Sequence, residues 1–202
     1  MTDPLDEARC LLLAAAFRMP SIQSMLGRKS SITNAFVSSV IPVIFPTLAE
    51  IEESLVLLGM DANDVRCSYC WDNFTEWDHL RPLVMKRRPT GYISEIANLV
   101  PACGKCNQSK GNKAWREWMK STAPRSPTGR GMSGVDERIQ RLEDYERWKT
   151  PVMVDFLAVV GHEAWEDYWD HCEAVVTELQ RSQAVADSIR STIVAHVKAS
   201  NA

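Results

Sequence analysis

The 202-residue sequence contains no long hydrophobic run. The apolar stretch Leu11–Phe17 is too short to span a bilayer, so no membrane partner is expected. The start, MTDPLDEARC, is acidic where a secretory leader needs a basic beginning. A disulfide framework would suit a small secreted chain, which nothing here resembles, and four of the six cysteines fall in two C-x-x-C pairs. Together these absences predict a soluble, reducing, cytoplasmic protein. A strong net charge is also missing. At −3, the whole chain gives no sign of a nucleic-acid partner. No internal repeat is present. The 45% hydrophobic content, by contrast, is enough for a real core and one or two compact domains.

The small net charge hides a partition. From His79 to Arg130 the chain carries eleven Lys/Arg against two acids, Glu95 and Glu117, while the flanks on either side each sum to −6. A basic centre between acidic flanks is the footprint of a local polyanion site, although a solvated basic loop would give the same balance.

The periodicities predict an α+β chain. Residues 8–26 look helical, with Leu11, Leu12, Ala15 and Ala16 on one side. Arg28–Ser31 reads as a loop or helix cap that could also touch phosphate. Thr47 with Glu50 forms a capping box, opening a helix that runs through Leu58 to Gly59, so residues 1–65 should be mainly helical. From Arg66 to about Ser121, short apolar runs alternate with turns. A helix from Asn107 should carry Trp115 and Trp118, weakened at its start by Gly111. Residues 121–134 are rich in Ser, Pro and Gly and read as a linker or exposed loop. The C-terminal region, 135–202, should be helical. An amphipathic helix carries Val135, Ile139, Leu142 and Tyr145, and a long one runs from about Gly161 to Val197. Its seam steps through Trp165, Tyr168, Cys172, Val175, Leu179, Ser182, Ala186, Ile189 and Ile193. That seam could pack within the chain or form a homodimer.

Cys67-Ser-Tyr-Cys70 and Cys103-Gly-Lys-Cys106 stand thirty-two residues apart. Each tight turn can present two thiolates, and two such turns complete a tetrahedral sulfur site, so one structural zinc per chain is expected. A redox C-x-x-C would need a thioredoxin-like setting and would not explain two pairs. Cys10 and Cys172, in apolar helical contexts, read as buried structural thiols.

Between and beside the knuckles lie Asp78, His79, Asn98 and Asn107, each ordinary when taken alone. A metal staple would bring Asn107, at a helix start, towards Asp78. Two oxygen ligands completed by water and phosphate make a Mg²⁺ site of the partly hydrated type. His79, next along the strand, could serve as a base.

In order, the pieces are C-x-x-C at Cys67–Cys70, DHLRP at Asp78–Pro82, NLVPAC at Asn98–Cys103 and CNQSKGN at Cys106–Asn112. This segment, roughly residues 66–120, resembles the HNH endonucleases with paired C-x-x-C knuckles. Asn107 stands where the family often has His. The resemblance implies a small ββα-metal nuclease core embedded between mainly α-helical regions, and an enzyme that hydrolyses phosphodiester bonds in DNA. It implies His79 as general base and Asp78 with Asn107 as ligands of one catalytic Mg²⁺ or Mn²⁺, which would stabilise the phosphorane and the leaving 3′-oxygen. Asn98 would hydrogen-bond around the strand to fix the orientation of His79.

Arg81, Lys110 and Lys113 are the first candidates for phosphate contacts, followed by Lys86, Arg87 and Arg88 on the loop between the strands. Trp71, Trp77, Trp115 and Trp118 could stack on bases, but packing around a small metal module suits at least three of them better. One nuclease motif with helical flanks suits a restriction or phage-defence enzyme cutting duplex DNA as a dimer. A homing or mobile-element nuclease, or a zinc-stapled nucleic-acid-binding module without catalysis, are the alternatives.

Overall fold

The computed structural model describes residues 4–17 and 19–200. The chain is α+β. Helices α1 (Pro4–Ala16), α2 (Lys29–Val40) and α3 (Leu48–Leu57) precede strands β1 (Glu76–His79), β2 (Val84–Met85), β3 (Arg88–Pro89) and β4 (Leu99–Ala102). Then follow α4 (Gly104–Lys110), α5 (Trp115–Lys120), α6 (Val135–Trp148), α7 (Phe156–Val160) and α8 (His162–Ser200). Ser30–Val175 form one compact unit, and the residues up to Lys29 with those from Val176 form another. No described helix is long and apolar enough to cross a membrane.

The site rests on two strands and one helix. β1 pairs antiparallel with β4, setting Glu76 opposite Ala102, Asp78 opposite Val100 and His79 opposite Leu99. Cys103 directly follows β4 and caps α4 from an extended conformation, so the helix turns back across the pair at once. Between β1 and β4, a two-residue turn joins β2 to β3. Lys86 and Arg87 both take positive φ there, as a hairpin matched to strand twist requires.

The core around this ββα unit draws on the helical flanks. Leu55 and Leu58 from the end of α3, and Ile139, Leu142 and Tyr145 from α6, pack with Tyr69, Leu80, Val100, Trp115, Trp118 and the four paired cysteines. Tyr145 donates its hydroxyl to the carbonyl of Leu99 at 2.9 Å, fixing the start of β4. A second cluster joins Val37 of α2 and Ile41 just beyond it with Ile93, Phe156 and Trp169. Residues 121–134 hold no helix or strand, yet Ser126 is fully buried, its hydroxyl donating to the carbonyl of Ser121 at 2.6 Å and accepting from Gly129 N–H at 3.0 Å.

Several expectations need correction. The N-terminal helix stops at Ala16, and a 3-10 turn occupies Met25–Arg28. Arg28–Ser31 is no loop, since α2 begins at Lys29. The helix expected from Asn107 is two, because Gly111 takes φ 50° and ψ −127° and breaks it. Along α8, the buried positions are Trp169, Cys172, Val176 and Gln183, whereas Val175, Ile189 and Ile193 stand exposed. Of the expected seam, Cys172 is buried and Trp165, Tyr168, Leu179, Ser182 and Ala186 are partly buried, so it holds as far as Ala186 except at Val175 and ends before Ile189. Cys172 is buried as expected, but Cys10 is exposed.

Candidate active site

The sulfur atoms of Cys67, Cys70, Cys103 and Cys106 all lie within 4.8 Å of one another, and all four residues are buried. Cys70 and Cys103 Sγ are 3.6 Å apart. A tetrahedral site with metal–sulfur bonds of about 2.3 Å needs sulfurs about 3.8 Å apart, so the cluster fits such an ion. Two backbone links hold the knuckles in place: Ser68 N–H donates to the Pro101 carbonyl at 2.8 Å, and Gly104 N–H to Thr75 Oγ1 at 3.1 Å. Hydrogen bonds from Cys106 and then Cys67 push Cys70 down, while Cys106 is pushed up by Cys67 and Cys70. A dication is what lets all four ionise together.

Asp78, His79 and Asn107 line one open cavity of about 370 Å³, with Glu76, Gln108 and Asn112 also on its wall. The antiparallel register and the immediate start of α4 after β4 place these residues on one cavity wall. Asp78 is only 5% exposed. Its carboxylate accepts from Tyr69 Oη at 2.6 Å and pairs with Lys110 Nζ at 3.0 Å. Burial pushes the Asp78 carboxyl up, against the pull of the Lys110 charge. Burial likewise pushes Lys110 down, and its ammonium also donates to the His79 carbonyl at 2.8 Å. The Tyr69 phenol is pushed well up by burial and by the Asp78 charge, so it stays a donor. His79 is pushed down to about 4, first by burial and then by Lys110, which keeps its imidazole neutral near pH 7. A hard divalent cation suits this donor set, one carboxylate and one carboxamide oxygen on a solvent-open wall.

Asn98 is fully buried and hydrogen-bonds around the strand end rather than to the imidazole. Its side chain accepts from Arg81 N–H at 2.8 Å and donates to the Arg81 carbonyl at 3.1 Å, clamping the backbone two residues beyond His79. The ring is held instead by Ser94, whose Oγ lies 2.9 Å from Nε2. Ser94 and Tyr69 carry no signal in the sequence that marks them for the site. Tyr69 occupies an interior position of a knuckle, and no spacing distinguishes Ser94.

Most of the basic candidates already have partners within the protein. Lys110 is fully buried on Asp78. Arg81 pairs with Glu146 at 2.8 Å, Arg87 pairs with Glu173 at 2.9 Å, and Arg88 lies over the Trp169 ring at 4.5 Å. Lys86 and Lys113 are exposed, and Lys113 also donates to the Ser109 carbonyl at 2.6 Å. Trp115 and Trp118 are buried and Trp71 packs against the core, leaving Trp77 half exposed.

The family model for HNH endonuclease matches residues 67–113, the stretch that carries both knuckles and most of the cavity lining. Over 69 residues, 32% of this chain, the sequence is 39% identical to the CRISPR-associated endonuclease Cas9 of Corynebacterium diphtheriae. The match spans 6% of that relative's length. No solved structure matches the chain at a significant level.

Proposed function

Residues 67–113 are an HNH endonuclease domain, and from that premise we propose that the chain is a divalent-metal-dependent endonuclease acting on duplex DNA. One observation carries this reading: Asp78, His79 and Asn107 line the same cavity, two hard oxygen donors beside an imidazole held neutral. His79 takes the proton of the attacking water. Its low proton affinity in the free protein has two causes, burial and the Lys110 charge, and an incoming phosphate opposes the second. Asp78 and Asn107 would hold Mg²⁺ or Mn²⁺, which supplies charge stabilisation at the scissile phosphate. The four cysteines would hold zinc, a closed shell with a structural task. Exposed Lys86 and Lys113 are the remaining basic candidates for DNA contact. A restriction or phage-defence role is the biological reading.

The reading extends to a homodimer through α8. Ile189, Ile193, Val194 and Val197 are exposed there. An antiparallel copy would set these apolar positions against one another. A second reading, a metal-stapled DNA-binding module without catalysis, is favoured by the ion pair that already engages Asp78.

Plasmid and phage DNA incubated with the purified chain and Mg²⁺, Mn²⁺ or EDTA separates these readings. Metal-dependent cleavage that falls about 10²- to 10⁴-fold in His79→Ala is expected, the range for loss of a general base. Binding without cleavage in any metal would establish the module instead. Discrete fragments support the restriction role, and smearing excludes it. Sedimentation of the free chain reads the dimer directly.

A further inference from the structure

His79 must keep one ring nitrogen free if it is to take a proton, and its two nitrogens meet different surroundings. The Nε2 atom faces the Ser94 hydroxyl at 2.9 Å, while Nδ1 has no hydrogen-bond partner among the described residues. Ser94 has little freedom to turn away. Its N–H donates to the Pro42 carbonyl at 3.2 Å, and its own carbonyl accepts from Ile44 N–H at 2.8 Å, a parallel bridge centred on Val43. The neighbouring Ile93 is buried at 3% exposure and sends its carbonyl to Asn98. With both backbone groups of Ser94 committed, its Cβ direction is set and the hydroxyl is aimed at the imidazole.

We propose that Ser94 is the positioning residue for His79: its hydroxyl accepts the Nε2–H, which fixes the tautomer whose Nδ1 lone pair is free to receive the water proton. This rests on the nuclease reading above. A neutral imidazole carries one N–H and one lone pair, and the partner of one nitrogen decides the state of the other. Were the hydroxyl to donate instead, the proton would sit on Nδ1 and the ring could not accept another there. The segment Pro42–Ile44, well outside the residues matched to the family, thereby becomes part of the site by holding Ser94.

The test uses the full chain with its metal. Nitrogen-15 NMR of the His79 ring should show the Nε2–H tautomer in the wild type and a mixture in Ser94→Ala. Steady-state cleavage by Ser94→Ala should show kcat about five- to tenfold lower, the worth of one neutral hydrogen bond, with KM, melting temperature and cysteine-bound metal unchanged. Ser94→Thr, which keeps the hydroxyl, should restore both readouts. A wild-type ring protonated on Nδ1 overturns the proposal, as does Ser94→Ala cleaving at the wild-type rate. If the tautomer responds as expected but the wild type cuts no DNA, the positioning role stands and the nuclease reading fails.

Discussion

Two buried opposite charges show how a residue's role depends on its neighbours. Lys110 follows the last cysteine closely and looks like a phosphate contact in sequence, yet its side chain is fully buried and its ammonium reaches Asp78 and the His79 carbonyl. Removing one partner of a buried pair leaves the other charge uncompensated, which typically costs about 3–5 kcal/mol. Lys110→Met should therefore lower urea stability by that order, whereas Lys113→Ala, at an exposed position, should leave the midpoint in place. His79 adds a pH dependence. Its proton affinity falls from 6.5 to about 4 on folding. Above pH 6.5 neither state holds the proton, so that contribution is fully present. Below it the unfolded chain is protonated first, and stability is lost until about pH 4. The total is about 3 kcal/mol by linkage. Comparing the pH dependence of unfolding for the wild type and His79→Ala checks it: the mutant's curve should be flatter between pH 6.5 and 4.

At the scale of elements, the local signals were legible and the breaks were not. The capping box at Thr47 and Glu50 is present, with both reciprocal bonds made, because both partners lie within one helical turn. The break at Gly111 was not legible. A glycine inside a helical pattern is tolerated about as often as it terminates one, and what decides here is tertiary: Lys110 must reach back to β1. Gly111 sits at φ 50°, ψ −127°, with the nearest contact to an added Cβ at 3.8 Å, so only backbone strain opposes a side chain. Gly111→Ala should cost about 1–3 kcal/mol in urea unfolding, and a value near zero would mean the break is not conformationally demanded. The β2–β3 hairpin was unreadable for a related reason. Its turn uses Lys86 and Arg87 at positive φ instead of the Asn-Gly that would announce it. Arg87 then pairs with Glu173, both partly exposed, and a double-mutant cycle should return no more than about 1 kcal/mol.

For the whole molecule, the charge partition was real but its meaning was incomplete. Counting along the chain set the basic centre against acidic flanks, yet folding brings Glu143, Glu146 and Glu173 onto Arg116, Arg81 and Arg87. Sequence distance hid that neutralisation, which only tertiary contact reveals. The cysteine staple was the opposite case. Its spacing is local and chemical, so the cluster was legible in the order of residues alone. The same staple also sets cooperativity, because the four cysteines share one apolar cluster with α3, α5 and α6. Structural zinc in small domains contributes an apparent ~10–16 kcal/mol, comparable to or above the ~5–15 kcal/mol that separates folded from unfolded for a whole domain. Stripping the metal with a strong thiol-competing chelator should therefore unfold α3 and α6 along with the knuckles. Trp118, buried against Tyr69 at 5.2 Å, would become solvent-exposed in the same transition that loses far-ultraviolet helix signal. If helix signal and Trp118 fluorescence survive chelation while one metal per chain is released, the flanking helices fold without the staple and the shared core is not what couples them.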